Sequence, residues 1–331
     1  MPVDVLYVSP HPDDVAFSAA AQVARDVATG SRVGVLTVFE MPGTAQGGLF
    51  GDRAVRRAED EAFAALVGAE RIAAGFDDAV ARRARYRHPY HLLGPLPDDE
   101  APLVEDLRDR LQSLVRQGCR RVVAPLGVGE HVDHQIAHQA ARALSGVDVA
   151  FYEDTPHVLA DFALARRLSR AGLEPVIGGG APARLDPAVA RGSRLGEIVA
   201  GARTWWSLPL LDAWLGVRAG APRPLWLGVA RSLAIGYLFG PSLLRPGSMR
   251  AHGEPRRAAP FIVRGPEVAA VKLAAIGVYA SQWPGFRRTL DGWREALERY
   301  ARALGEDGMV ERAWRVDPAP AIVGPGALDK A

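Results

Sequence analysis

The feature that most constrains the fold is a regular alternation of short apolar runs with segments of helical period. The apolar runs lie at residues 3–9, 32–39, 71–75, 121–126 and 147–152, and the helical segments between them at 15–28, 53–67, 101–116 and 135–144. This alternation is typical of a parallel sheet covered by helices. We therefore predict an α/β fold with a Rossmann-like, doubly wound and mostly parallel sheet. Such sheets bind ligands beyond the carboxyl ends of their strands.

The pattern loosens in the second half of the chain, which we expect to be an additional helical and irregular region. We predict four parts: a Rossmann-like catalytic core (1–157), a helical, Trp-rich insertion (158–260), a returning strand with C-terminal helices (261–316) and a loose tail (317–331). Residues 205–244 of the insertion hold four of the seven tryptophans. Two interpretations of that stretch stay open. It is either a satellite core or subunit interface, or a surface for an apolar aglycone or for peripheral membrane contact.

Composition excludes several classes of protein. The 40 basic and 38 acidic residues give a net charge of only +2, so nucleic acid is not an expected partner. The single cysteine, Cys119, cannot form an internal disulfide or build a thiolate metal site. No apolar run approaches the roughly 18 residues of a membrane span. The first residues lack the pattern of a signal peptide, so the expected location is cytoplasmic.

Polar residues cluster where two of the predicted strands end. The first loop (residues 9–14) reads Ser-Pro-His-Pro-Asp-Asp, and the second loop (residues 127–134) reads Gly-Val-Gly-Glu-His-Val-Asp-His. In the simplest doubly wound topology the first and fourth strands are neighbours, so the two loops should face each other. Alone, each motif could be an ordinary turn with a helix-capping aspartate. Together, and without thiols, they favour a hydrolytic Zn²⁺ site, for which Fe²⁺ is an alternative metal.

Three side chains are the candidate metal ligands. His11 and Asp14 lie three residues apart across the strand-to-helix turn, and His134 lies at the start of a helix. Water would take the open position, where a metal lowers its pKa to about 7. Asp13 cannot easily point the same way as Asp14, so it is free to act on that water as general base.

Two further residues of the second loop are candidates for catalysis. His131 lies three residues before the predicted ligand His134 and could face the same pocket from the far side of a substrate carbonyl. As an imidazolium it would stabilise an oxyanion or protonate a leaving amine. We expect Asp133 to orient this ring and keep its pKa high.

The two motifs resemble the signatures of the PIG-L/LmbE family of zinc-dependent N-acetyl-sugar deacetylases. The resemblance implies that His11, Asp14 and His134 are zinc ligands, Asp13 the general base and His131 its electrostatic partner. Shorter similarities follow in the segments Arg56-x-x-Glu59, Gly75-Phe76-Asp77-Asp78, Tyr152-Glu153-Asp154-x-Pro156 and Lys272 with Tyr279-x-Ser281-Gln282. This sequence departs from the family at Val132, where many members carry Pro, and at Glu130, where many carry Gly.

The resemblance implies a hydrolase that removes the acetyl group from an N-acetylglucosamine-type sugar conjugate. Arg56, Asp77 and Asp78 are candidates for binding the substrate, which would be a small molecule or a sugar linked to a lipid or aglycone. A homo-oligomer is compatible with the sequence. Two alternatives stay open: an amidase that cleaves a larger acyl group from an amino-sugar thiol conjugate, and a non-catalytic module that binds sugar or lipid. Dinucleotide binding is disfavoured, because no Gly-x-Gly-x-x-Gly follows the first strand.

Of the other histidines, His138 is expected to be a partly buried helix residue and His88 and His91 surface loop residues. His157 and His252 receive no assignment from the sequence.

Overall fold

The computed structural model describes residues 2–40, 52–159, 163–176, 256–283 and 289–317. Its strands are β1 (Val5–Ser9), β2 (Val33–Glu40), β3 (Glu70–Asp77), β4 (Arg121–Pro125), β5 (Asp148–Tyr152), β6 (Leu173–Pro175), β7 (Arg256–Val263) and β8 (Glu311–Val316). Its α-helices are α1 (Asp14–Ala28), α2 (Arg53–Val67), α3 (Ala79–Arg82), α4 (Pro89–Leu92), α5 (Ala101–Arg116), α6 (Val132–Arg142), α7 (Ala163–Arg170), α8 (Pro266–Val278) and α9 (Leu290–Ala303).

The described strands form one eight-stranded sheet in the order β3-β2-β1-β4-β5-β8-β7-β6. The five strands from β3 to β5 pair in parallel, and β8 is antiparallel to both of its neighbours. Helices α5 and α6 pack on one face of the sheet, and α1, α2 and α8 pack on the other. Strand β1 is buried throughout, as expected of a central parallel strand with a continuous apolar sequence. The predicted doubly wound, mostly parallel α/β fold is confirmed.

The second half of the chain contains more β-strands than the sequence analysis predicted. The returning strand is β7, which starts five residues before the predicted position and pairs with the short strand β6. Residues 311–316 were expected to belong to the C-terminal helices, but they form β8, which inserts between β5 and β7. The strand is hard to recognise because its first two residues, Glu311 and Arg312, are charged yet buried. The Trp-rich stretch 205–244, most of the predicted insertion and residues 318–331 lie outside the described residues.

Helix α1 connects the first loop to this second half. Its backbone leaves helical geometry at Ala19 (φ −138°, ψ 20°). Beyond the break, the N–H groups of Ala21 and Gln22 donate to the carboxylate of Glu311 at 3.0 and 2.9 Å. Lys272 of α8 pairs with the same carboxylate at 3.1 Å. Strand β8 and helix α8 therefore hold the helix that begins at the first loop.

No helix in the described ranges is both long enough and apolar enough to cross a bilayer.

Candidate metal centre

The two polar loops lie side by side at the carboxyl edge of the sheet. Strand β1 pairs in parallel with β4, with Val5 opposite Arg121 and Tyr7 opposite Val123. The predicted neighbourhood of the first and fourth strands is therefore confirmed. Each loop follows its strand directly, so the pairing brings together side chains that lie more than 100 residues apart.

The first loop is a tight turn held by its own polar groups. Ser9 Oγ donates to the carbonyl of His11 at 2.6 Å, and the His11 N–H donates to Asp14 Oδ2 at 2.7 Å. Asp13 is the residue before α1, and it has a φ of 106° and no capping hydrogen bond from its side chain. The turn thus brings the side chains of His11 and Asp14 together. The Asp13 carboxylate does not cap α1 and is available to act as a base.

The three predicted ligands converge. Asp14 Oδ2 lies 3.3 Å from His11 Nδ1 and 3.3 Å from His134 Nε2. One donor atom from each residue lies within 4.8 Å of the other two. Two imidazoles and a carboxylate at these distances fit a divalent cation such as Zn²⁺ with an open coordination position. Because the donor atoms come from both loops, they converge only when the chain is folded.

The ring of His134 is held by an aspartate that the sequence analysis did not assign. Asp154, just beyond β5, accepts from His134 Nδ1 at 2.7 Å through Oδ1. Its Oδ2 accepts the N–H groups of Gly127 and Val128, both at 2.8 Å. This arrangement places the ring proton on Nδ1 and leaves Nε2 as the donor to a metal. Its position could have identified Asp154 from the sequence, because it is an acidic residue at the end of a predicted strand.

Asp133 contacts a different histidine from the one expected. Its Oδ2 lies 3.0 Å from His11 Nε2 and accepts the N–H of Ala79 at 2.9 Å, and its Oδ1 accepts from Arg82 at 2.7 Å. Although burial opposes ionisation, the hydrogen bond with His11 and the nearby cations keep the pKa of Asp133 below its usual range. Among the described residues no recorded hydrogen bond joins this carboxylate to His131, and the orienting role expected for it stays a prediction. The sequence analysis did not identify Arg82 as a residue of this site.

His131 is the N-cap of α6, and its Nδ1 accepts the backbone N–H of Asp133 at 3.2 Å. Burial disfavours the imidazolium, and the neighbouring His11 repels it, so the pKa of His131 lies well below its ordinary value. The predicted high pKa is therefore wrong for this structure. With Nδ1 acting as acceptor, a neutral ring carries its proton on Nε2 and remains a hydrogen-bond donor.

Asp13 is 8% exposed. Burial and the neighbouring Asp14 carboxylate raise the pKa of Asp13 to about 7. The Arg56 guanidinium lies 4.0 Å from Asp13 Oδ2 and donates to the carbonyl of Pro12 at 3.1 Å. A carboxyl group that titrates near neutral pH has the property required of a general base.

Of the three predicted substrate-binding residues, only Arg56 has a recorded contact with the site. The Asp78 carboxylate caps α3 by accepting the N–H of Ala81 at 3.0 Å. Asp77 is exposed at the end of β3, and its carbonyl accepts from Arg82 at 2.8 Å. The Asp78 carboxylate caps α3, and a substrate role for Arg56, Asp77 and Asp78 stays a prediction.

Of the five remaining histidines, the structure describes four. His157, left unassigned by the sequence, lies with its ring 5.9 Å from that of His134, and burial followed by repulsion from His134 lowers its pKa to about 3. It fits against Gly129 (φ 93°), where a Cβ would lie 2.5 Å from the His157 ring. His138 is fully buried in α6, and His252 lies outside the described residues. His88 and His91 contact each other, with ring centroids 6.1 Å apart.

Comparisons with known proteins identify similar sequences and similar folds. Residues 6–145 match the sequence model of the PIG-L family, described as GlcNAc-PI de-N-acetylase. A 2'-N-acetylparomamine deacetylase from Streptomyces fradiae is 36% identical over 168 residues. That alignment covers 46% of this chain and 57% of the relative's length, so it spans little more than half of that protein.

Solved structures resemble the chain over nearly its whole length. The zinc-inhibited form of teicoplanin deacetylase Orf2 has a TM-score of 0.57 at 18% identity, covering 96% of this chain and 99% of that one. The A40926 pseudoaglycone deacetylase Dbv21 has a TM-score of 0.53 at 19% identity, covering 97% and 100%. At such low identity these similarities concern the fold. Both predicted motifs lie inside residues 6–145, the part of the chain that matches the PIG-L family model.

Proposed function

We propose that the protein is a metal-dependent deacetylase that hydrolyses the N-acetyl amide of an N-acetylglucosamine-type sugar conjugate. The observation that carries this proposal is the convergence of His11, Asp14 and His134 beside the buried carboxyl group of Asp13. The family description and the name of the Streptomyces relative, both of which specify removal of an N-acetyl group, support it.

The donor set is suited to the metal that such chemistry needs. His11, Asp14 and His134 would hold Zn²⁺, and the same nitrogen and oxygen donors would accept Fe²⁺. The Asp133 and Asp154 carboxylates lie against the ring nitrogens that face away from Asp14. Carboxylates in this position fix the tautomer and orientation of metal-binding histidines. When bound, the cation lowers the pKa of a water molecule and polarises the acetyl carbonyl.

Asp13 carries the proton transfers in this proposal. Its carboxylate accepts a proton from the attacking water and then holds it on a carboxyl oxygen. The same carboxyl group delivers the proton to the sugar nitrogen as the amide C–N bond breaks, so that acetate and a free amine are the products. Arg56, 4.0 Å away, favours the ionised form before the reaction begins.

His131 acts on the acetyl oxygen. Its neutral ring donates a hydrogen bond from Nε2 as negative charge develops on that oxygen. Donors of this kind stabilise a tetrahedral intermediate most effectively where water is excluded. This assignment replaces the imidazolium expected from the sequence with a neutral donor.

The central test is the Asp13→Ala variant of the metal-loaded enzyme. We expect it to keep its metal and to release acetate at least ~10²-fold more slowly, the scale typical of a lost general base. Metal content by elemental analysis and acetate release from N-acetylglucosamine glycosides are the measurements. A variant with undiminished activity would remove Asp13 from the mechanism.

The substrate requires two further assays. A competition between an acetylated amino sugar and a cysteinyl-conjugated one should favour release of acetate, and preference for the larger acyl group would support the amidase alternative. A panel of glycosides that differ in aglycone tests residues 205–244: faster turnover of long apolar aglycones would support a substrate role for this stretch, and equal turnover would favour packing. Metal-loaded protein that hydrolyses no N-acetyl sugar would favour a non-catalytic binding module.

A further inference from the structure

The second loop is held by side chains from a later stretch of the chain, residues 154–170. Four side chains of this stretch contact residues 126–130, which lead into the loop and form its first half: Asp154, His157, Arg167 and Arg170. The first three act on the backbone there or fit against it. The fourth, Arg170, pairs with a side chain of the loop, the carboxylate of Glu130.

Helix α7 supplies two of these four contacts. Arg167 Nε donates to the carbonyl of Leu126 at 2.6 Å, and a Cβ on Gly127 would lie 2.9 Å from Arg167 Nη2. Arg170 follows three residues later, so both arginines lie on the same side of α7. This helix therefore packs against the loop that carries His131, although it lies outside the part of the chain that matches the family model.

Glu130 has a backbone conformation that is rare for a residue with a side chain. Its φ is 64°, in the left-handed region that favours glycine. Its N–H donates to the carbonyl of Gly127 at 3.1 Å, and its own carbonyl accepts from Gln135 Nε2 at 2.7 Å. A conformation of this kind persists only where the surrounding contacts maintain it.

The ion pair with Arg170 is suited to maintain this conformation. The side chains of Glu130 and Arg170 are only 6% and 10% exposed. Removing one partner at this depth leaves the other charge buried without its counter-ion, which is costly. Because a change in φ would swing the Glu130 side chain away from Arg170, the pair resists relaxation of the backbone.

The residue that follows Glu130 is His131, the proposed hydrogen-bond donor to the acetyl oxygen. His131 is the N-cap of α6 and has extended backbone angles (φ −60°, ψ 132°), so the peptide between the two residues sets where its ring enters the site. The ring of His134, three residues further on, is held independently by Asp154. A change in the Glu130 backbone should therefore displace His131 more than it displaces the candidate metal ligand.

We propose that Arg170 is a positioning residue: its ion pair with Glu130 maintains the backbone turn that directs His131 towards the acetyl oxygen. The inference rests on the proposed function, since His131 has this task only in a deacetylase. Hydrogen-bond donors stabilise a tetrahedral intermediate only when they are held at the right distance from it. Displacement of such a group by about 1 Å can lower a rate by ~10²-fold.

The test is steady-state kinetics of the metal-loaded Arg170→Gln variant. We expect kcat to fall by ~10-fold with KM and metal content unchanged, because an oxyanion donor acts in the transition state. Arg170→Lys keeps a cation and should retain most of kcat. The control Arg57→Gln removes an exposed arginine that pairs with Glu61 on α2, and it should behave as the unaltered protein. An unchanged kcat in Arg170→Gln, or a loss explained by loss of metal, would overturn the proposal.

A double-mutant cycle with His131→Ala separates positioning from a general structural role. If Arg170 acts through His131, adding Arg170→Gln to His131→Ala should change kcat by less than ~2-fold. A further ~10-fold fall would show that Arg170 acts independently of His131 and would contradict the proposal. Absence of hydrolysis by the unaltered protein would refute the proposed function and this role with it, whereas an active protein insensitive to Arg170→Gln would refute this role alone.

The pair Glu130→Gly and Glu130→Ala provides a second measurement if Arg170→Gln does not fold. Both variants lose the carboxylate and both keep Arg170, but only glycine adopts a φ of 64° without strain. We expect kcat to be at least ~3-fold higher in Glu130→Gly than in Glu130→Ala, because the glycine keeps the turn before His131. Equal kcat values, or a higher value for Glu130→Ala, would contradict the proposal.

Discussion

The first and second loops hold the candidate metal centre in different ways. In the second loop the positive φ angles fall on Gly127 (83°), Gly129 (93°) and Glu130 (64°), none of which is a predicted catalytic residue. In the first loop the positive φ falls on Asp13 (106°), the proposed general base. The second loop is also anchored by Asp154 from the adjacent strand end, whereas the helix after the first loop is held by Glu311 from β8.

This difference distinguishes the candidate ligand His134 from the proposed general base Asp13. The second loop, which carries the candidate ligand His134, has two of its three positive φ angles on glycine, which adopts them readily, and the third on Glu130. The first loop supplies the reactive carboxylate in a conformation that an aspartate adopts only under constraint. We expect changes at His134 and at the groups that hold its ring to affect metal affinity, and changes at Asp13 to affect rate and stability. The following experiments test that division.

The largest expected effect is loss of the metal from His134→Ala. Removing one of two imidazole donors leaves a site too weak to retain Zn²⁺ through dialysis. Elemental analysis should show a metal content near zero, with His91→Ala, which removes an exposed histidine, as the control. An unchanged zinc content in His134→Ala would mean that the ligand set is wrong.

A smaller loss of metal affinity is expected from Asp154→Asn. If the amide oxygen keeps the bonds from Gly127 and Val128, its NH₂ group faces His134 Nδ1 and demands an acceptor there. The ring proton would then move to Nε2, the atom that should bind the metal. We expect ~10–100-fold weaker binding, the usual scale for such partners, measured by competition with a chromogenic chelator.

Asp133→Asn is the matched comparison. Here the amide oxygen can keep both the Ala79 N–H and the His11 Nε2 bond, and only the contact with Arg82 becomes unfavourable. The tautomer of His11 is preserved, so the metal affinity should fall less than in Asp154→Asn. Equal losses in the two variants would show that charge, rather than the tautomer, controls metal binding.

The smallest expected effect is on stability. With φ at 106°, Asp13→Gly should be more stable than Asp13→Ala by about 1 kcal/mol, because only glycine is unstrained there. Both variants lose the carboxylate, so their difference isolates the backbone. Asp14, within α1, should show the reverse order, with Ala more stable than Gly. Denaturant unfolding of the metal-free proteins measures both pairs, and the same order at the two positions would refute strain at Asp13.

Much of the fold was predictable because its signals are local. The apolar runs of β1, β2, β4 and β5 identified a parallel sheet, and the short connections placed both loops at its carboxyl edge. Strand β8 was missed because Glu311 and Arg312 occupy buried positions that normally carry apolar residues. Their partners, Lys272 and Glu153, lie 39 and 159 residues away, beyond the reach of any local pattern.

The sequence by itself determined which donors the candidate metal centre offers, since the residue types of two short motifs restrict them to imidazole and carboxylate. Only the tertiary structure decided which acid holds which ring: Asp133 contacts His11 from 122 residues away, and Asp154 holds His134. It also gave His131 its environment, in which burial beside a second histidine favours the neutral ring. The physical reason is that donor identity is fixed by covalent structure, whereas hydrogen-bond pairing and desolvation depend on which segments the sheet brings together.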